Sequence, residues 1–504
     1  MNYLAVTSII YIFANGKPQL DTFMKQFFKY VFASFVGTLL FSIIMGCFAF
    51  ITIIGMIAST QTTNEIKDNS VLVLNLSGQL TERSEDNNII SQLQGKIGTI
   101  GLDNLLSAID KAKNNKNIKG IYIEAGAFTA DSYASLQAVR NALVDFKKSG
   151  KWIITYADIY TQGTYYLSSS ANKVYLNPQG QIDWHGLSSP PVFVKDLLKK
   201  FGVKMQVMKV GTYKSATEMF TGDKMSDANR EQTSAYLNSI WGNITKDVSA
   251  TRNISVSSLN AYADSMITFA APTDYLKYKL VDGLLYTDQV KAVVKKQLGL
   301  DKDDDINQVS IDDMQGVEDE ENDNSDNQIA VYYAYGDIVD GAAGGLFAQG
   351  HTIDAQVVCK DLEKLANDKD VKAVVLRVNS GGGSAYASEQ IWHQIMELKK
   401  QKPIVVSMGG MAASGTYYIS APSNWIVAEP TTLTGSIGIF GMFPDFSGLL
   451  TEKLGIKFDE VKTNKFSGFG TQSRPFSEEE MAYLNQYINR GYKLFRHRVA
   501  EGRK

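Results

Sequence analysis

The sequence predicts an α/β protein made of two tandem repeats of parallel sheet covered by helices, preceded by one N-terminal transmembrane helix. Three observations carry that expectation. Residues 31–58 contain no Asp, Glu, Lys, Arg, Asn, Gln or His, and a helix needs only about 20 apolar residues to cross the hydrocarbon of a bilayer. The chain then repeats itself: Ile118-Lys119-Gly120-Ile121-Tyr122-Ile123-Glu124 matches Val371-Lys372-Ala373-Val374-Val375-Leu376-Arg377 at an offset of 253, and Gln162-Gly163-Thr164-Tyr165-Tyr166-Leu167-Ser168 matches Ser414-Gly415-Thr416-Tyr417-Tyr418-Ile419-Ser420 at 252. Each copy also runs in one order: helix, β-branched strand, loop, amphipathic helix, second strand (Trp152 to Tyr156; Ile404 to Met408), turn and helix. Alternating β and α elements signal parallel strands buried under helices.

The apolar run exceeds the roughly 7–15 residues of a secretory signal core, so it reads as an uncleaved anchor. Lys25 and Lys29 stand before it and no charge follows until Glu65. The positive-inside bias then keeps residues 1–30 in the cytoplasm and carries everything after the span across the membrane. Met24-Lys25 looks like a translation start, which would make residues 1–23 a misassigned upstream extension. Beyond the 31–58 span, an N-terminal repeat is expected over 70–300 and a C-terminal repeat over 328–504. Between them, Asp301 to Asp326 holds twelve acidic residues and one lysine. This linker, residues 301–327, is expected to stay unfolded because it cannot bury enough apolar surface. The first repeat continues through Leu280-Val281-Asp282-Gly283, for which the second has no counterpart before Lys504, so the second repeat is expected to be C-terminally truncated.

Composition narrows the chemistry. A net charge of −3 excludes a polybasic nucleic-acid binder. Cys47 and Cys359 form neither a disulfide lattice nor a metal–sulfur cluster, and His185, His351, His393 and His497 are scattered along the chain. The expected chemistry therefore needs no metal and no cofactor. In the second repeat a strand over 373–378 runs into Asn379-Ser380-Gly381-Gly382-Gly383-Ser384, whose glycines let backbone N–H groups face an anion. No Gly-Lys-Ser/Thr follows, so this is not a Walker loop, and an oxyanion hole remains.

The next strand ends in Gly409-Gly410-Met411-Ala412-Ala413-Ser414-Gly415-Thr416, placing Ser414 at a helix N-terminus with the Gly415 N–H beside the glycine loop. Helix capping is the ordinary role of such a serine. Yet the first repeat has Gln162 in place of the serine and Glu124-Ala125-Gly126-Ala127 in place of the glycine triplet. Nucleophile and loop diverge together, which capping does not require. A serine nucleophile needs a base, and no histidine is suitably placed: His393 lies within the helix expected over 387–400 and His185 in the first repeat. A lysine could serve if burial lowered its pKa from about 10.4.

Val210-Gly211-Thr212-Tyr213-Lys214-Ser215-Ala216, Asn379 to Ser384, Met411-Ala412-Ala413-Ser414-Gly415 and Leu433-Thr434-Gly435-Ser436-Ile437-Gly438 together resemble the signal peptide peptidase A family in its long, tandem-repeat form. The resemblance spans residue 24 to the end. It implies a Clp-protease/crotonase-like fold and a Ser–Lys dyad, with Ser414 as nucleophile and Lys214 as general base. It further implies Gly382, Gly383 and Gly415 as oxyanion donors and Ser436 as the residue orienting the lysine. One departure is plain: the family reads Ser-Pro-Gly-Gly in the glycine loop, and Gly381 stands where the proline would be. Lys465, in Val461-Lys462-Thr463-Asn464-Lys465-Phe466, is the rival base from the second repeat.

The expected function is that of a serine endopeptidase anchored in the bacterial inner membrane, with both repeats on the periplasmic side, degrading cleaved signal peptides and other hydrophobic peptides. The resemblance adds a homo-tetramer enclosing an apolar-lined bowl. Two other readings compete: a catalytically silent membrane scaffold of the same fold, suggested by Gly381 and the short second repeat, and an acyl-CoA-handling crotonase relative.

Overall fold

The computed structural model describes residues 17–59, 65–84, 98–317, 325, 327–341 and 351–504. It divides into two units, residues 1–65 and 66–504. The first holds a helix, Lys17–Ser59, whose Lys25–Phe48 stretch is long and apolar enough to cross a membrane. Helical structure therefore begins ahead of the 31–58 run and includes Lys25 and Lys29. Residues 1–16, most of the stretch expected to be an upstream extension, lie outside the described residues.

In the second unit each repeat builds its own parallel sheet. The first sheet runs Thr99–Gly101, Ser70–Thr81, Ile118–Ala130, Trp152–Tyr160, Lys173–Ile182, Gly283–Leu284. Both faces of this sheet are covered: Leu72, Leu74, Leu76, Ile121 and Ile123 are buried in one core, and Val71, Ile154 and Tyr156 are buried against Val290 and Val294 in another. Leu102–Asn114 and Tyr133–Lys147 turn apolar stripes onto it, with Leu105, Ala108, Ile109 and Ala112 at helical spacing. The second sheet runs Trp425–Val427, Ile404–Ala413, Val371–Ser380, Gln328–Tyr335, with Leu433–Gly435 added beside Met411–Ala413. Ala355–Asn367 and Ala385–Lys399 cover it. The order of elements matches the repeat read from the sequence.

The acidic segment departs from expectation. Asn307–Val309 joins the first sheet as a parallel strand against Ser70–Leu72, and Ile311–Gln315 forms a short helix opened by a Ser310–Asp313 capping box. Val309 and Met314 are buried in the first core. The segment carries an apolar residue every few positions, and an existing sheet edge lets three residues add a strand at little ordering cost, so net charge alone misjudged it. Residues 318–324 and 326 lie outside the described residues.

Several sets of contacts join the repeats, and three of them set their relation. Lys204–Lys209 of the first pairs antiparallel with Phe440–Asp445 of the second, from Lys209 opposite Phe440 to Lys204 opposite Asp445. Arg377 Nε and Nη2 donate to the two Glu82 carboxylate oxygens at 2.9 and 3.0 Å, and its Nη1 donates to Ser407 Oγ and the Met408 carbonyl. At the end of the Ile404–Ala413 strand the chains approach so closely that a Cβ on Gly410 would lie 2.3 Å from the Ser132 Cβ. The bland residues Gly409-Gly410 are thus an inter-repeat contact.

Glu82 is only 4% exposed, so removing its carboxylate strands the Arg377 guanidinium in the junction. Glu82→Ala is expected to lower the unfolding free energy of the 66–504 unit by about 3 kcal/mol, read from the shift of the urea midpoint.

Candidate active site

Ser414 occupies the turn from the Ile404–Ala413 strand to the Gly415–Ser420 helix at φ 55 and ψ −120, a left-handed backbone that L-residues rarely hold. The first repeat shows why. There Thr161 caps the helix, its hydroxyl accepting from the Thr164 N–H, and Gln162 is the first helical residue. In the second repeat Ala413 stands at the capping position and has no hydroxyl to offer. The helix therefore starts one residue later, and Ser414 makes no side-chain cap. The Ser414 N–H donates to the Gly435 carbonyl at 2.9 Å and its carbonyl accepts from the Tyr418 N–H at 3.0 Å, which anchors the turn on both sides and leaves Oγ directed away from the helix.

Lys214 meets that hydroxyl from the other repeat. Its Nζ donates to Ser414 Oγ at 3.0 Å, to Ser436 Oγ at 2.8 Å and to the Ser436 carbonyl at 3.3 Å. The side chain is 8% exposed, with its stem against Gly438, where a Cβ would lie 3.2 Å from Lys214 Cδ, and with Nζ 5.8 Å from the centre of the Phe440 ring. All three hydrogen-bond partners are neutral, so nothing offsets desolvation, and burial pulls the amine down from the usual lysine range to about 8.

The turn bearing Lys214 is tied to the following helix. Tyr213 donates to Glu231 at 2.9 Å, Gln232 donates to Ser215 Oγ at 2.7 Å, and the Glu218 carboxylate accepts from the Ser226 hydroxyl and N–H and from Asn229. Lys465 sits elsewhere in character: its side chain is 68% exposed and ion-paired with Glu479, which pushes its pKa up. That is the reverse of what a neutral amine requires.

The glycine loop lies against the serine turn. A Cβ on Gly382, which has φ +100, would come 2.6 Å from the Gly415 N and 2.9 Å from the Ser414 Cβ, so only glycine permits this approach. The Gly382 N–H, expected to be an oxyanion donor, is occupied instead: it donates to Ser380 Oγ at 3.0 Å. Among the described residues the Gly383 and Gly415 N–H groups carry no such partner. In the first repeat the matching position is sealed. Gln162 Oε1 accepts from the His185 and Gly186 N–H groups and its Nε2 donates to Tyr133 and the Gly186 carbonyl, while Trp184 stands where the second repeat has Ser436. Sequence reading passed over Ser380, Gly438, Phe440 and the exchange of Thr161 for Ala413. The last was visible in the repeat alignment.

The chain matches Peptidase family S49 over residues 145–301 and 396–504, and Clp protease over 344–424. It belongs to peptidase family S49. Protease 4 of Salmonella typhi is 35% identical over 96% of this chain and 79% of its own length, and Protease 4 of Haemophilus influenzae 34% identical over 90% and 75%. The chloroplastic serine protease SPPA of Arabidopsis thaliana is 29% identical over 87% of this chain and 63% of its own. The likeness to long, tandem-repeat signal peptide peptidase A therefore extends over nearly the whole chain, and this S49 protein is a serine peptidase of Clp-protease-like fold.

An amine that must be neutral to accept a proton is inactive below its pKa. If Lys214, near 8, is that amine, kcat/KM should climb about tenfold per pH unit up to roughly pH 8 and level off above it. A profile flat from pH 5 to 10 would contradict a titrating lysine.

Proposed function

We propose that this S49 peptidase cuts hydrophobic peptides, cleaved signal peptides among them, with Ser414 as nucleophile and Lys214 as general base. The observation that carries the reading is the buried Lys214 Nζ, free of any carboxylate and 3.0 Å from Ser414 Oγ. Neutral Lys214 takes the Ser414 proton as Oγ adds to the scissile carbonyl carbon. The resulting oxyanion accepts from the Gly383 and Gly415 N–H groups, the second of which opens a helix. Collapse breaks the C–N bond, and protonated Lys214 returns the proton to the leaving amine. Water, deprotonated by the same lysine, then hydrolyses the acyl-enzyme. Ser436 holds Lys214 in register by accepting from Nζ through both its hydroxyl and its carbonyl. In this reading the 70–300 repeat supplies the base and the 328–504 repeat the nucleophile.

The substrate class follows from location. Lys17–Ser59 anchors the enzyme in the inner membrane with residues before the span in the cytoplasm and the catalytic unit on the periplasmic side, close to where signal-peptide remnants reside. The homo-tetramer expected from the resemblance belongs to the same reading. Its support is the second-repeat counterpart of the Lys204–Lys209 strand: Leu454, Ile456, Phe458 and Val461 stand exposed there, Val461 by 98%, as a surface awaiting another copy would.

A fluorophosphonate probe should label Ser414 and nothing in Ser414→Ala. Lys214→Ala and Lys214→Arg should both lose at least a thousandfold in kcat, because arginine stays protonated at any working pH, whereas Lys465→Ala should keep most activity. An active Lys214→Arg enzyme would end the dyad reading. For topology, protease added outside spheroplasts should digest the unit beyond residue 65 and spare a reporter fused before Lys25; the reverse pattern would refute the anchor's orientation.

A further inference from the structure

The glycine loop raises a question that the dyad does not answer: what holds its amides in place when position 381 is glycine. A peptide flanked by three glycines can rotate, and an oxyanion donor helps only if it is already aimed when charge develops. Hydrogen bonds to two residues, Ser380 and Ile338, restrain the loop, and the Ser380 hydroxyl also donates to the Gly382 carbonyl at 3.5 Å. The Ser380 hydroxyl, on a side chain 5% exposed, accepts from the Gly382 N–H at 3.0 Å and thereby fixes the Gly381–Gly382 peptide. The Ile338 N–H donates to the Gly382 carbonyl at 3.0 Å, and the Ile338 carbonyl accepts from the Ser384 N–H at 2.9 Å. In a trans peptide the C=O and N–H point opposite ways. Holding the Gly382 carbonyl on Ile338 therefore turns the Gly383 N–H to the opposite side, where the Gly383 N lies 3.4 Å from the position a Gly415 Cβ would occupy, next to Ser414.

We propose that Ser380 is a positioning residue of the reaction: by accepting from the Gly382 N–H and donating to the Gly382 carbonyl it holds the peptides on both sides of Gly382 and so aims the Gly383 amide at the oxyanion, a restraint that matters more where position 381 is glycine. The inference rests on the Ser414–Lys214 reading above. It also explains why the Gly382 N–H faces away from the nucleophile. Gly381, unlike Gly382 and Gly383, does not hold a positive φ, and a Cβ there would meet only the flexible Met411 Sδ, at 3.3 Å. Neither a left-handed backbone nor a Cβ clash with backbone therefore bars a proline at that position, which would stiffen the loop by fixing its own φ.

The test is a kinetic series on the membrane-extracted full chain: wild type, Ser380→Ala, Ser380→Thr, Gly381→Pro and the Ser380→Ala/Gly381→Pro double variant, each with a hydrophobic peptide substrate and with a peptide aldehyde, whose adduct carries the tetrahedral oxygen. Ser380→Ala should lose about tenfold in kcat with KM within twofold, and lose aldehyde affinity by the same factor, because only the charged, tetrahedral species uses the donor. The pH midpoint should not move, since the lysine is untouched. Ser380→Thr should retain most of kcat, and the double variant should recover most of what Ser380→Ala loses. Unchanged kcat in Ser380→Ala, or a loss that appears equally in KM and thermal midpoint and is not restored by proline, overturns the inference. Ser414→Ala run alongside separates the two levels: if it keeps wild-type turnover, the dyad reading fails and this inference falls with it, whereas an inactive Ser414→Ala beside a fully active Ser380→Ala sinks the positioning role alone.

Discussion

The antiparallel pairing of Lys204–Lys209 with Phe440–Asp445 is the constraint on which the site depends. A lone two-stranded ribbon is only marginally stable in water. This one is held because Met208 is buried beneath it and Ile488, from the Glu478–Gly502 helix, packs against Gly441. It does what sequence proximity cannot, bringing Lys214 within hydrogen-bond reach of a serine 200 residues away. Both partners leave the ribbon at the same end: Lys214 follows Lys209 by five residues, and Ser436 precedes Phe440 by four. A slip by one register step would turn the pairing over and move the lysine and its serine ligand out of line.

What the ribbon assembles is costly in itself. An amine is buried without a counter-charge, and a serine is held in a backbone conformation it would not choose. The first repeat, which keeps the same strand and helix, avoids both costs. It caps its helix with Thr161 and seals the equivalent turn with four hydrogen bonds to Gln162. The duplication has thus divided the work, one copy reaching out with the proposed base while the other keeps the proposed nucleophile and anion loop. The Arg377–Glu82 pair and the close approach at Gly410 keep the two copies in a fixed relation.

Much of this was legible in the residues. The apolar helix, the α/β order, the offset of the repeats, and Ser414 beside a glycine loop all follow from local pattern, because burial period and small-residue turns are written in contiguous sequence. Lys214 and Ser436 entered through resemblance, since nothing in the spacing of Val210 to Ser215 distinguishes a buried amine from a solvated one. The acidic segment was misjudged for a related reason. Net charge describes the average of residues 301–326, whereas Val309 and Met314 respond to a sheet edge and a core supplied from residues more than 200 positions away.

By itself the sequence determined the class of fold, the duplication, an N-terminal helix long and apolar enough to cross a membrane and the identity of the strand-to-helix turn that bears Ser414, all properties of short stretches and their periodicity. Only the tertiary structure decided which lysine is desolvated, that Lys465 is a surface ion pair, and that the Gly382 amide faces Ser380 rather than the nucleophile. Desolvation and hydrogen-bond direction depend on what lies within a few ångströms in space, and those neighbours come from the opposite repeat or from backbone rotations that residue identity does not specify.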